Sequence, residues 1–182
     1  EKELETKVTC DSCTLDYAIY GVFAYCPDCG THNSLQILKK NLELANKELA
    51  LSGTTDDADL SSHLVAEALK TAVSAFDGFG REVSSLNAGS ATDPKKAEAT
   101  SFQNLLKARS SVNSIFGYDL AGGLDSGEWE FLIKMFQKRH LLVHTMGVID
   151  QQYVDITHDH TAVVGRKIGV GADEVKKVIG LV

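Results

Sequence analysis

The sequence predicts a mainly α chain: four to five helices in a bundle, a small β module at the N-terminus, and a short β-hairpin and helix as a C-terminal tail. Three observations carry this. Apolar residues recur at helical spacing through most of the chain after residue 33. Only two prolines interrupt the 182 residues. All four cysteines fall before residue 30, in a stretch rich in β-formers.

The opening, Glu1-Lys2-Glu3-Leu4-Glu5, is charged and has no apolar core of a signal peptide. Residues 1–9 read as a lead-in or first strand. Cys10-Asp11-Ser12-Cys13 and Cys26-Pro27-Asp28-Cys29-Gly30 are then two C-x-x-C pairs, each able to turn backbone N–H groups toward its thiolates. Between them, Leu15 to Tyr25 is long enough for a hairpin that returns to the second pair. Two close pairs at this separation predict a ribbon closed around one structural Zn2+ by Cys10, Cys13, Cys26 and Cys29. Paired C-x-x-C also predicts a reducing, cytoplasmic setting. His32 reads as a surface residue. No Lys or Arg lies between Lys7 and Lys39, so the ribbon has no basic face.

A first helix is expected from Asn33 or Ser34 to about Leu51, and a second from about Ala58 to Leu86 after a polar turn. Pro94 suits the first turn of a third helix, expected to continue to about Phe116. The Gly-rich run Gly117 to Leu124 lacks the Gly-Lys-Ser/Thr of a phosphate loop and reads as a connection. A fourth helix is expected from Asp125 or Ser126 to about Met146. Val148–Val154 and Ala162–Val164 read as short strands around a His158-Asp159-His160 turn, and a last amphipathic helix opens at Ala172. The implied division is a ribbon over 1–33, a helical bundle over 34–150, and a tail over 151–182. No apolar run approaches the roughly 20 residues of a membrane span. A net charge of −7 argues against nonspecific coating of nucleic acid.

The chemistry concentrates late in the fourth helix. Leu132, Phe136, His140 and Val143 read as one side of it. His140 and His144 are four residues apart and project from nearly the same face, with Arg139 beside them and Lys134 and Lys138 nearby. The pair suits metal poorly, because Leu141 stands where H-E-x-x-H places its Glu. Asp150 or the His158-Asp159-His160 cluster completes such a site only if the fold brings it near. Arg with His instead suits phosphodiester chemistry on RNA. A near-neutral imidazole moves protons on and off the 2′-OH, while a guanidinium holds the phosphate bidentately.

The run Arg139-His140-Leu141-Leu142-Val143-His144 matches the R-x4-H pattern of the HEPN superfamily. The longer string from Phe136 to Asp150 also resembles bacterial HEPN-type proteins. The resemblance spans roughly residues 34–150 and implies a HEPN-like bundle. It further implies a metal-independent endoribonuclease, in a toxin–antitoxin, phage-defence or RNA-processing setting, whose product ends in a 2′,3′-cyclic phosphate. By that resemblance His144 is the general base or acid, Arg139 holds the scissile phosphate, and His140 is the polar helper. RNA is the implied partner, with an antitoxin or other protein as a further one, and the family usually forms homodimers. A homodimer also meets a geometric difficulty, since residues 139 and 144 lie about 140° apart around an ideal helix. The alternative is a noncatalytic zinc-ribbon and helical module that binds a protein or nucleic acid.

Overall fold

The structure, a computed structural model, describes residues 5–182. Strands β1 (Glu5–Thr9) and β2 (Asp16–Tyr20) pair antiparallel, with Thr9 opposite Asp16. Helices α1 (Ser34–Ser52), α2 (Ala58–Leu86), α3 (Pro94–Ala99), α4 (Leu105–Phe116), α5 (Ser126–His144), α6 (Gln151–Thr157) and α7 (Ala172–Leu181) follow. The hairpin forms earlier than expected. It closes across the first C-x-x-C pair, between β1 and β2, rather than within Leu15 to Tyr25. The first four residues of the expected lead-in lie outside the described residues.

Helices α1 and α2 form an antiparallel hairpin. Ser61 Oγ donates to the Ser52 carbonyl at 2.8 Å, Thr71 Oγ1 meets Glu48 Oε1 at 3.5 Å, and His32 Nε2 lies 3.2 Å from Glu82 Oε1. The Asp57 carboxylate starts α2 by accepting from the Asp59 and Leu60 N–H groups. The main core lies between this hairpin, α5 and α7. It contains Ala45, Leu69, Ala72, Val73, Leu132, Met135, Phe136, Val175 and Val178. Burying each of the larger of these contributes roughly 1.5–3 kcal/mol.

Two expected elements fold differently, each because a side-chain carboxylate captures backbone. The helix expected from Pro94 to Phe116 is broken at Thr100–Asn104. There the buried Asp77 accepts from the Phe102 N–H at 2.6 Å and from Ser101 Oγ at 3.1 Å. Asn104 then restarts the chain as cap of α4, accepting from the Lys107 N–H. Phe102 packs on Gly80 of α2, where any Cβ would lie 2.5–2.7 Å from the ring. That close approach is the reason for a glycine inside a long helix.

The C-terminal hairpin does not form. Asp150 Oδ1 accepts the Tyr153 N–H at 2.8 Å and starts α6, which buries Tyr153 against Leu141 and Ile149. Residues 162–164 form no strand, and one isolated bridge, Val148 with Lys167, replaces the expected ladder. Helix α7 forms where the sequence places it. None of the described helices is long and apolar enough to cross a membrane.

Candidate functional site

The four cysteines converge. Cys10 and Cys29 Sγ are 3.6 Å apart, Cys13 and Cys26 Sγ are 3.5 Å apart, and all four sulfurs lie within 4.8 Å of one another. None is in a disulfide. Four thiolates about 2.3 Å from a tetrahedral ion would stand about 3.8 Å apart, so the donor set and its spacing fit a metal site. The two turns are built alike. The Thr14 N–H donates to the Cys10 carbonyl at 2.9 Å, and the Gly30 N–H to the Cys26 carbonyl at 3.0 Å. Thr14 and Gly30 both adopt positive φ, at 63° and 71°. The hydroxyl and backbone N–H of Thr31 pull the Cys29 thiol down to about 6. Among the described residues this is the one group of three or more His, Cys, Asp or Glu side chains whose ligand atoms come together.

The ribbon is fastened to the helices. Gln36 Nε2 donates to the Thr9 carbonyl at 2.6 Å, while Asn33 accepts from the Ala24 N–H and donates to the Val22 carbonyl. His32 is not the surface residue expected. Its side chain is 12% exposed, it pairs with Glu82, its Nδ1 accepts the Ser34 N–H, and the Tyr25 ring meets it edge-on at 4.7 Å.

The second site is the C-terminal end of α5. Asp125 and Glu128 form a capping box that sets where the helix begins. Its sunken face is Trp129, Leu132, Met135, Phe136, Lys138 and Leu141. The expected apolar side therefore splits, with Leu132 and Phe136 buried while His140 and Val143 are exposed. The His140 and His144 rings lie side by side with centroids 4.5 Å apart. Partial burial and the neighbouring His144 hold His140 below its ordinary value, Asp150 acts the other way, and Arg139 adds to the lowering.

Arg139 is held from the side. Its Nη1 donates to Gln103 Oε1 at 3.2 Å, while its Nε is buried without a hydrogen-bond partner. Gln103 Nε2 in turn donates to Asp77 Oδ2 at 3.0 Å, which fixes the amide so that its oxygen faces Arg139. Asp77 also takes Arg81 Nε at 2.9 Å. Burial raises its carboxyl, but the donors from Phe102, Arg81 and Gln103 outweigh that and hold it below the usual range.

Lys134 and Lys138 do not contribute to this surface as expected. Lys134 Nζ pairs with Asp159 Oδ2 at 2.7 Å. Lys138 is buried, donating to both Glu174 oxygens at 2.8 and 2.9 Å and to the Gly169 carbonyl. Asp159 and Asp150 are occupied as partner of Lys134 and cap of α6. No third ligand atom joins the histidine pair among the described residues.

Gln103 and Asp77 escaped sequence reading because the contact depends on the break in the expected third helix. Lys138 carried a signal, since Met135 and Leu141 stand three residues on either side of it on the apolar stripe. Compared with family models, curated proteins and solved structures, the chain has no match.

Proposed function

We propose that the chain is a metal-independent endoribonuclease of HEPN type whose N-terminal ribbon holds a structural Zn2+. The carrying observation is the end of α5, where two imidazoles with ring centroids 4.5 Å apart and planes tilted by 45° adjoin an arginine that has no carboxylate partner among the described residues. A guanidinium not consumed by an ion pair keeps donors for a phosphate. Partial burial and the neighbouring His144 lower His140, which favours its neutral, proton-accepting form.

In this reading Arg139 binds the scissile phosphate. His144 removes the 2′-OH proton or returns one to the leaving 5′ oxygen, and His140 supplies the complementary role or orients the phosphate. The 2′ oxygen attacks phosphorus, the P–O5′ bond breaks, and a 2′,3′-cyclic phosphate remains. Two copies of the α5 end across a two-fold axis bring Arg139 of one chain toward His144 of the other. In the ribbon, Cys10, Cys13, Cys26 and Cys29 hold the ion and no position stays open, so the metal braces the fold that Gln36 and Asn33 join to α1.

The test is cleavage of structured and unstructured RNA in EDTA by the unsubstituted protein, His144→Ala and Arg139→Ala, with protein-bound zinc measured in the same buffer. The expected result is cyclic-phosphate product from the unsubstituted protein alone. Intact RNA throughout, with zinc still bound, defeats the reading. A second reading, a noncatalytic module docking a protein, draws on the exposed Val143 and Met146 beside the histidines, the latter 83% exposed. It is favoured if RNA is untouched but substitutions at those two residues abolish self-association or partner capture.

A further inference from the structure

Directly after α5 the chain folds back on the helix end. The Gly147 N–H donates to the Leu141 carbonyl at 2.9 Å. Residues 147–149 then pair with residues 165–168. The Ile149 N–H donates to the Arg166 carbonyl at 2.9 Å, the Ile168 N–H to the Gly147 carbonyl at 2.7 Å, and the Gly165 N–H to the Ile149 carbonyl at 2.8 Å. Val148 faces Lys167 in the bridge. The backbone of Arg166 and Lys167 is therefore fixed beside a segment that begins three residues after His144. Even fully extended, His144 to Val148 spans at most about 14 Å, and the turn at Gly147 shortens that.

Both side chains are exposed, and neither has a carboxylate partner among the described residues. This contrasts with Lys134 and Lys138 of α5, each neutralised by its own carboxylate. Asp150, the nearby acid in sequence, is turned to the Tyr153 N–H. In a chain of net charge −7, Arg139, Arg166 and Lys167 are thus three cations without acidic partners among the described residues, the last two carried on the segment that pairs with the chain leaving the histidine-bearing end of α5.

We propose that Arg166 and Lys167 form a phosphate-binding step next to the Arg139–His144 end, taking the backbone of single-stranded RNA beside the bond to be cut. This rests on the ribonuclease reading above and assigns the pair to holding substrate, not to the chemistry. Phosphate contacts of this kind add affinity without reading sequence, and each releases counterion, so their removal shows in the salt dependence.

The experiment compares the Arg166→Ala/Lys167→Ala doublet with Lys39→Ala/Lys40→Ala, a charge-matched control on two exposed residues of α1. Cleavage kinetics are measured across a salt series. Binding of a labelled single-stranded RNA is read by fluorescence anisotropy in a His144→Ala background. Expected for the Arg166/Lys167 doublet are a KM raised on the order of tenfold with little change in kcat, and a log–log salt slope for binding shallower by about 1.4. The control is expected to stay near the parent. Equal losses in the two doublets, or a fall in kcat at constant KM, overturn the assignment while leaving the ribonuclease reading intact. If the unsubstituted protein does not cleave, that reading fails, and the anisotropy arm alone decides whether the two cations bind RNA.

Discussion

Gln103 holds Arg139 by one hydrogen bond, Oε1 to Nη1 at 3.2 Å, and is itself oriented by Asp77 at 3.0 Å. Arg139 thus takes its position from α2 through a side chain in the α3–α4 break. If the chain is the ribonuclease proposed, Gln103→Ala should leave the fold intact and lower cleavage on the order of 10–100-fold, the cost of a loosely placed group. Gln103→Glu should not rescue it, because a carboxylate would compete for the guanidinium and face Asp77. Asp77→Ala should instead cost stability, about 1–3 kcal/mol, by leaving the buried Phe102 N–H unpaired. Urea unfolding and kinetics on the same variants separate the two effects.

The buried Lys138 predicts an asymmetry. Glu174→Ala leaves an ammonium without its counter-charge and should destabilise by about 3–5 kcal/mol. Lys138→Met replaces it with an apolar chain of similar length and should cost much less, although Glu174 and the Gly169 carbonyl lose a donor. Denaturant midpoints of the two variants check the order.

Acid should unfold the protein through the same carboxylates. Asp77, Asp159 and Glu174 all sit below their ordinary values in the fold. For Asp159 the Lys134 ammonium is the main cause. Groups depressed in this way contribute stability that is complete above the unfolded range of about 4 and is lost as pH falls through their folded values. The urea midpoint should therefore hold above that range and decline below it, with a shallower decline in Asp159→Asn.

His140 should titrate below an unfolded-chain histidine. His144→Gln removes one cause of the lowering and should move it up, whereas Asp150→Asn removes the opposing influence and should move it down. Proton–carbon NMR of the imidazole signals across pH 4–9 reads both; a movement of the opposite sign would contradict the arrangement.

Gly80→Ala should cost about 1–3 kcal/mol, since the added methyl meets the Phe102 ring at 2.5–2.7 Å. Gly78, in the same helix with open space around it, should tolerate the same change. Thermal unfolding of the two variants checks this.

The long helices were legible because their caps and apolar spacing agree. Asp57 precedes an α2 that ends at Leu86, and Asp125 with Glu128 opens α5. The cysteine cluster was legible because four sulfurs within 20 residues leave little choice of partner. What stayed hidden depends on contacts between distant residues. Asp77 reaches 25 positions ahead to seize the Phe102 N–H, and no local pattern in 94–116 announces that break. Asp150 lies in a run whose Val148, Ile149, Tyr153 and Val154 favour a strand, yet as a cap it starts α6. The positive charge around Arg139 was overestimated because Glu174 lies 36 positions beyond Lys138. Arg166 and Lys167 carry no signal in the sequence, for only the bridge between Val148 and Lys167 ties their segment to the chain that leaves α5.

Lys138 and Arg139 are neighbours of like charge, yet they answer to different parts of the chain. Residue 138 is bound to 174, and residue 139 to 103 and through it to 77. Among descendants of a common sequence the two should therefore drift separately. Loss of the acid at 174 should accompany loss of the cation at 138, while 139 should keep company with 103 and 77. A conserved Lys-Arg pair in such a set would record two independent constraints, one on folding and one on the surface where α5 ends.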